Sequence, residues 1–274
     1  MDYSIYFIPT PIGNLEDITI RAINILKKVD IIACEDTRES KKLLDYYDID
    51  KPLTSYHKFN EMSKGKDIIE NVKTGKTYGI ITDQGMPGIS DPGHILIKKC
   101  IEEEISYTIL PGASSLITAL VGSGLDNNKF SYYGFIPKKN SDKKDLYNKL
   151  EIEENTSIIF DTPHNLENTI SDFKEIFPER KLCIARELTK KFEEYLLYDI
   201  NKINIADITL KGEFVLILSG KVITNNESLE DYKDEIKLLL EEGKKTKDIS
   251  KIIKDKSSFS KNEIYNYIIS LQKN

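Results

Sequence analysis

Apolar residues in the first 110 positions follow two alternating rhythms: short continuous runs, and longer segments in which they recur every three or four residues. The runs at 3–9, 29–34, 78–82 and 107–110 are too short for helices and are bounded by polar, Gly or Pro residues, so they predict buried strands. Segments 18–28, 40–47, 61–72 and 95–104 carry helical spacing. Alternating strands and helices predict βα units, and therefore a parallel sheet covered by helices. Ligands of such sheets sit outside the carboxyl ends of the strands, which places loops 10–17, 35–38, 83–93 and 111–115 along one edge.

Beyond Phe130 the rhythm changes. Strands are predicted at 130–136, 156–160, 181–186, 193–197 and 213–218, with helices near 143–150 and 165–177, which describes a second α/β domain with a mixed sheet. A polar stretch at 224–228 precedes three helical segments, 229–242, 246–254 and 261–271. Ser260 and Glu263 have capping-box spacing for the last of these, and Gly243 marks a turn. The expected domains are therefore 1–112, 113–222 and 226–274, the last a small helix-turn-helix-like module or, failing that, a bundle packed on the main body.

Composition narrows the class. With 274 residues, 39% hydrophobic and 31% charged, the chain has the profile of a multidomain soluble protein. The start, MDYSIYFIP, enters a strand without a basic leader, so the expected location is the cytoplasm. Three scattered cysteines, Cys34, Cys100 and Cys183, suggest buried thiols, and neither they nor His57, His94 and His164 have zinc-site spacing. A net charge of −6 argues against non-specific nucleic-acid binding. The lysines are nevertheless clustered. Lys244, Lys245, Lys247, Lys251, Lys254, Lys256 and Lys261 face only Asp248 and Asp255, so seven minus two leaves +5 in that stretch. A second basic run spans 138–149, and either run could equally be a solvated face.

Candidate chemistry lies in the strand-end loops. DQGMPGISDPG, residues 83–93, follows a strand directly; Gly85, Gly88 and Gly93 allow close backbone approach, and Asp91-Pro92 has the form of a helix N-cap and first turn. PTPIGNLEDI, residues 9–18, makes a stiff corner through Pro9 and Pro11, with Gly13 free to present backbone. EDTR, residues 35–38, ends a strand with two carboxylates and one of four arginines. Asp36 with Glu39 has capping-box spacing, which leaves Glu35 and Arg38 to orient a loop or a substrate hydroxyl. No GxGxxG, Walker A or GxSxG pattern is present, which disfavours dinucleotide, nucleoside-triphosphate and acyl-transfer chemistry.

Nine segments in order carry a resemblance: PTPIGNLEDI, AxEDTR at 33–38, the spaced His57, Asn60 and Glu61, DQGMPGISDPG, LPGASSLITAL at 110–120, GFIPKK at 134–139, TPH at 162–164, ARELTK at 185–190, and GEFVLILSG at 212–220. Together they resemble the ribosomal RNA small subunit methyltransferase I family of the tetrapyrrole-methylase superfamily, over nearly the whole chain. The resemblance implies two α/β domains with S-adenosylmethionine bound between them, methylation of the ribose 2′-hydroxyl of a cytidine in the decoding region of 16S rRNA or the small ribosomal subunit, and a homodimer. It implies cofactor contacts from Pro11, Gly13, Asp83, Gly85, Met86, Pro87, Ile89, Gly112, Ser114, Ser115, Phe160, Val215 and Leu216. It also implies RNA contacts from Asn14, His57, Asn60, Glu61, His164, Arg186 and Lys190.

A carboxylate base would assist the weakly nucleophilic hydroxyl. Glu35 is the first candidate and Asp36 the second, with Arg38 fixing their geometry or meeting phosphate. The chain departs from the family at Phe160-Asp161-Thr162-Pro163-His164-Asn165, where Tyr-Glu-Ser-Pro-His-Arg is usual, and at Gln84, where alanine is common. Two other readings share the fold: a methylase of tetrapyrroles or other small molecules, and a non-catalytic RNA-binding assembly factor.

Overall fold

The structure, a computed structural model, describes residues 3–221, 228–257 and 259–273. Five short strands, β1 (Ile5–Phe7), β2 (Ile31–Cys34), β3 (Leu53–Ser55), β4 (Tyr78–Ile80) and β5 (Tyr107–Ile109), form a sheet in the order β3-β2-β4-β1-β5. Every pairing in it is parallel, as the βα alternation predicts. Helices α1 (Ile20–Lys28), α2 (Thr37–Tyr46), α3 (Glu61–Lys73) and α4 (His94–Glu102) connect the strands. Alternate residues of β1 feed two cores: Tyr6 packs with Leu26 and Ile32 on one face, while Ile5 and Phe7 pack with Ile68, Ile69 and Leu96 on the other. Strand β3, with one apolar residue in three, is an addition to the predicted set.

The second sheet contains β6 (Phe130–Phe135), β7 (Thr156–Asp161), β8 (Lys181–Arg186), β9 (Glu194–Asp199) and β10 (Phe214–Leu218), in the order β6-β7-β10-β8-β9. β6 and β7 are parallel and the other pairs antiparallel, giving the expected mixed sheet. Helices α6 (Asn140–Ile152) and α7 (Leu166–Ile176) cover one face, where Leu216 and Leu218 join Leu150 and Phe173. Helix α5 (Ser115–Ser123) covers the other, where Val215 and Ile217 meet Leu116 and Leu120. A Cβ on Gly122 of α5 would stand 2.1 Å from the Tyr195 ring, so the glycine lets this helix pack against that ring where it stands. Cys34, Cys100 and Cys183 are buried free thiols. Both sheets belong to one compact unit, Met1–Lys221.

A second compact unit, Val222–Asn274, holds α8 (Lys233–Glu241), α9 (Thr246–Lys254) and α10 (Lys261–Lys273). Its own core gathers Ile236, Leu239, Ile249, Ile253, Ile264 and Ile268. The predicted capping box is formed: Glu263 N–H donates to Ser260 Oγ at 3.3 Å, and Ser260 N–H donates to Glu263 Oε2 at 2.7 Å. Of the polar stretch expected at 224–228, all but Ser228 lies outside the described residues. Among the described residues no helix is long and apolar enough to cross a membrane.

Candidate active site

A cavity of about 440 Å³ opens between the carboxyl edge of the parallel sheet and the second sheet. Glu35 enters it from the end of β2, Asp83 from the loop after β4, Ile12 from the loop after β1 and Ser115 from the start of α5. The second sheet contributes Phe135, Phe160, Asp161, Phe214 and Val215, and its loops add Leu188 and Glu213. Every ionisable side chain lining the cavity is a carboxylate: Glu35, Asp83, Asp91, Asp161 and Glu213. The opposing surface adds the apolar and aromatic side chains Phe135, Phe160, Leu188, Phe214 and Val215 beside Asp161 and Glu213.

The glycine loop is held from inside. Thr10 and Gly85 exchange backbone hydrogen bonds of 3.0 Å, and Gly85 at φ +76° takes a conformation that a side chain would resist. Gly88 N–H donates to Pro92 O at 3.0 Å, and Gly93 N–H donates to Glu61 Oε1 at 2.7 Å. A Cβ on Gly93 would come 3.0 Å from Gly88 N, so these two glycines close the loop on itself. Helix α4 begins at His94 with Gly93 at the cap position, so Asp91 and Pro92 are not its N-cap and first turn. Gly93 is bonded to Glu61, and Asp91 lines the cavity instead. Ser90, a non-glycine residue at φ +63°, hydrogen-bonds Tyr132 of β6 and so ties the loop to the second sheet.

The acids in the cavity differ in their environments. Burial, then the charges of Glu35 and Asp83, push Asp91 up to about 7. Burial and Asp83 also raise Glu35, against a lowering influence from His57. Asp83 is raised by burial although its carboxylate accepts the Asp36 N–H at 3.1 Å. No hydrogen bond or ion pair joins the side chain of Glu35 or Asp91 to another described residue. Asp161 is 5% exposed; its Oδ1 accepts from Thr162 N and Asn165 Nδ2, while its Oδ2 has no partner. A buried acceptor left open on a cavity wall fits a donor carried by a ligand. The site thus suits a cationic molecule with a flat apolar portion.

The structure divides the residues singled out from sequence. Glu35, Asp83, Ser115, Phe160 and Val215 line the cavity. Pro11, Met86, Pro87, Ile89 and Ser114 lie in the surrounding loops without lining it. Gly13 and Gly112 serve packing: a Cβ on Gly13 would meet Leu188 O and Thr189 Oγ1 at 2.8 Å, and one on Gly112 would meet Pro9 Cβ at 2.8 Å. Leu216 faces the helices α6 and α7, on the opposite side of β10 from Val215. Asp36 caps α2 by accepting Arg38 N–H at 2.8 Å and pairs with the Arg38 guanidinium at 2.9 Å. The capping box expected with Glu39 is absent: the Asp36 N–H goes to Asp83, and Glu39 pairs with Lys42. Hydrogen bonds to Arg38 hold Asp36 at about 2.

None of the seven residues implied for RNA contact lines the cavity. Asn14 N–H donates to Thr189 Oγ1 and its side chain caps a single 3-10 turn, Leu15–Asp17. His57 and Asn60 form the turn after β3, and Glu61 is buried behind the glycine loop. His164 is exposed. Arg186 points inward, bonded to Glu194 at 3.0 Å and to Lys211 O at 3.0 Å. Lys190 bridges Glu187 and Glu213, the latter on the cavity wall. Sequence reasoning missed Asp91 as a cavity residue and the open oxygen of Asp161. A signal for Asp161 was present in the departure from the family's glutamate; Asp91 lay within the loop 83–93 marked as candidate chemistry, but there it has the local form of a helix N-cap.

Residues 4–203 match the family of Tetrapyrrole (Corrin/Porphyrin) Methylases. Among solved structures, uroporphyrin-III-C-methyltransferase from Thermus thermophilus superposes with a TM-score of 0.57 at 15% identity, covering 78% of this chain and 93% of that one. A diphthine synthase superposes with a TM-score of 0.59 at 12% identity, covering 79% and 89%. At these identities the likeness shows the fold alone. Three proteins named ribosomal RNA small subunit methyltransferase I are nearer in sequence. That of Bacillus subtilis is 42% identical over 83% of this chain and 77% of its own. Those of Streptococcus pyogenes and Synechocystis are 36% and 35% identical, covering 96% and 98% of this chain and 93% and 98% of theirs. With the tetrapyrrole-methylase fold, the cleft between its two sheets and this identity along the full chain, the protein belongs to the ribosomal RNA small subunit methyltransferase I family.

Proposed function

We propose that this protein methylates the ribose 2′-hydroxyl of a cytidine in the decoding region of 16S rRNA, using S-adenosylmethionine. One observation beside family membership carries the reading: a cleft with an apolar, aromatic wall in which every ionisable lining group is acidic. Such a site fits a cation that carries a purine, and the open Asp161 Oδ2 awaits a donor from it. When bound, S-adenosylmethionine supplies a methyl group activated on a positively charged sulfur. Asp83, Ser115, Phe160 and Val215 contact it in this reading. Pro11, Gly13, Gly85, Met86, Pro87, Ile89, Gly112, Ser114 and Leu216 shape the loops and strands behind them.

Among the acids, Asp91 takes the role of proton acceptor for the ribose hydroxyl. It lines the cleft, is not engaged by another described residue, and its value of about 7 is matched to transfer near neutral pH. Glu35, first in the sequence-based order, acts beside it by raising its proton affinity. Asp36 is committed to Arg38, whose side chain is 86% exposed and faces phosphate in this reading. His57 and Asn60 stand on the same side. The family resemblance adds a cytoplasmic homodimer, which sedimentation and cell fractionation test.

The deciding experiment incubates the purified protein with labelled S-adenosylmethionine and undermethylated small ribosomal subunits, then maps the product by nuclease digestion and mass spectrometry. A single 2′-O-methylcytidine in the decoding region is expected. Cofactor binding without transfer to any ribosomal substrate would overturn the reading.

A further inference from the structure

Phe59 is 95% exposed, the most solvent-accessible large apolar side chain among those described, and Met62 on the first turn of α3 is 60% exposed. An aromatic ring left almost wholly in water invites a partner. Its backbone is fixed. Asn60 Oδ1 accepts the His57 N–H at 2.8 Å, Asn60 Nδ2 donates to Ser55 O at 3.1 Å, and Asn60 N–H donates to His57 O at 2.9 Å. The turn 57–60 is thereby clamped to the end of β3 and presents Phe59 outward.

The location selects the partner. β3 lies beside β2, so this turn leaves the same carboxyl edge that delivers Glu35 to the cavity. His57 lies next to Phe59: the two rings meet edge-on with centroids 6.1 Å apart. Lys58 is exposed and makes no ion pair with another described residue. A cation beside a free aromatic face, at the rim of a methylating cleft, matches single-stranded RNA, whose unstacked bases lie on aromatic side chains.

We propose that Phe59 is a stacking platform for an unpaired RNA base flanking the nucleotide whose ribose enters the cleft. The inference rests on the RNA-methylating reading above. Because the chain contains no tryptophan, Phe59→Trp creates a single indole fluorophore at this position. On titration with undermethylated small ribosomal subunits its emission is expected to be quenched and shielded from acrylamide. A single-stranded RNA 12-mer should quench it too, and a fully paired duplex should not. Phe59→Ala should weaken subunit binding about tenfold or more, in the range of one lost base stack. S-adenosylmethionine affinity should be unchanged, and Phe59→Tyr should restore subunit binding. Unaltered subunit affinity in Phe59→Ala, unaltered indole emission in the bound complex of Phe59→Trp, or a change of oligomeric state in place of RNA affinity would each overturn the proposal. Wild-type protein that binds no subunits at all would instead bring down the RNA reading, and this inference with it.

Discussion

The Glu61 carboxylate accepts the backbone N–H of Gly93 at 2.7 Å, and through this bond the start of α3 fixes the end of the glycine loop. The same oxygen accepts the Tyr56 hydroxyl at 2.9 Å, and both residues are buried. Glu61→Ala leaves a buried phenol and a buried backbone donor unpaired, so a loss of about 2–3 kcal/mol is expected in urea denaturation. S-adenosylmethionine affinity should fall as well, because Asp83 and Asp91 sit on the loop that is released. Glu61→Gln keeps an acceptor oxygen and should do less damage on both counts. Unchanged stability in Glu61→Ala would show that the loop is held by other means.

Asp91 makes a prediction whose sign depends on pH. Its folded value of about 7 lies above the ordinary 3.8, so the folded protein holds this proton more tightly than the unfolded chain does. The associated stability is fully present below about pH 4 and is lost as pH rises through 7. Asp91→Asn, neutral throughout, should therefore melt about 2–4 °C above wild type at pH 8, the shift given by roughly 1 kcal/mol in a protein of this size. The gap should close towards pH 4. Affinity for the cationic cofactor should move the other way: in wild type it rises between pH 6 and pH 8 as the carboxylate ionises, and in Asp91→Asn it stays flat and weaker. Calorimetric titration of both proteins across this range checks the pair of trends.

Physical locality decides how much of this was legible in the sequence. The parallel sheet was legible because βα alternation is a local pattern, and the mixed sheet followed from runs such as 181–186, which match β8. Asp91 was misread because Asp-Pro has the local form of a helix start, whereas the bond that moves the start to His94 comes from Glu61, 32 residues away from Gly93. The family resemblance implies both Val215 and Leu216, and the sequence cannot separate them, because all five residues of β10 are buried and no polar position marks which face meets the cleft. The inward pairing of Arg186 was not legible, because its partners Glu194 and Lys211 lie on later segments that only the fold brings near.

Gly13 is the clearest case of a loop residue whose reason lies elsewhere. Its Cβ position is occupied by residues 188–190, with Leu188 O and Thr189 Oγ1 at 2.8 Å and Lys190 Cγ at 2.5 Å. The lysine stem can move, but the Leu188 carbonyl belongs to the backbone. Gly13→Ala should therefore cost about 1–3 kcal/mol, the usual penalty for overpacking. Leu188 and Ile12 both line the cavity, so the displaced backbone should also weaken cofactor binding. Thermal melts and equilibrium dialysis would separate this outcome from a backbone role confined to the ligand, in which affinity falls while stability holds.

The lysines of the C-terminal unit can be tested through salt. Lys244 pairs with Glu242 and Lys256 with Glu235, whereas Lys245, Lys247, Lys251, Lys254 and Lys261 make no ion pair with described residues. These five are therefore available to phosphates. Replacing all five with glutamine in the full chain should weaken binding to small ribosomal subunits at low salt. The slope of log affinity against log salt should flatten by about 1 for each lysine that meets a phosphate. The two proteins should converge in affinity at high salt, where released counterions no longer favour the complex. Cofactor affinity, which the proposed function assigns to the cavity of the first unit, should not change. Equal salt slopes for the two proteins would mark the lysine cluster as a solvated face and move RNA capture to the rim of the cleft.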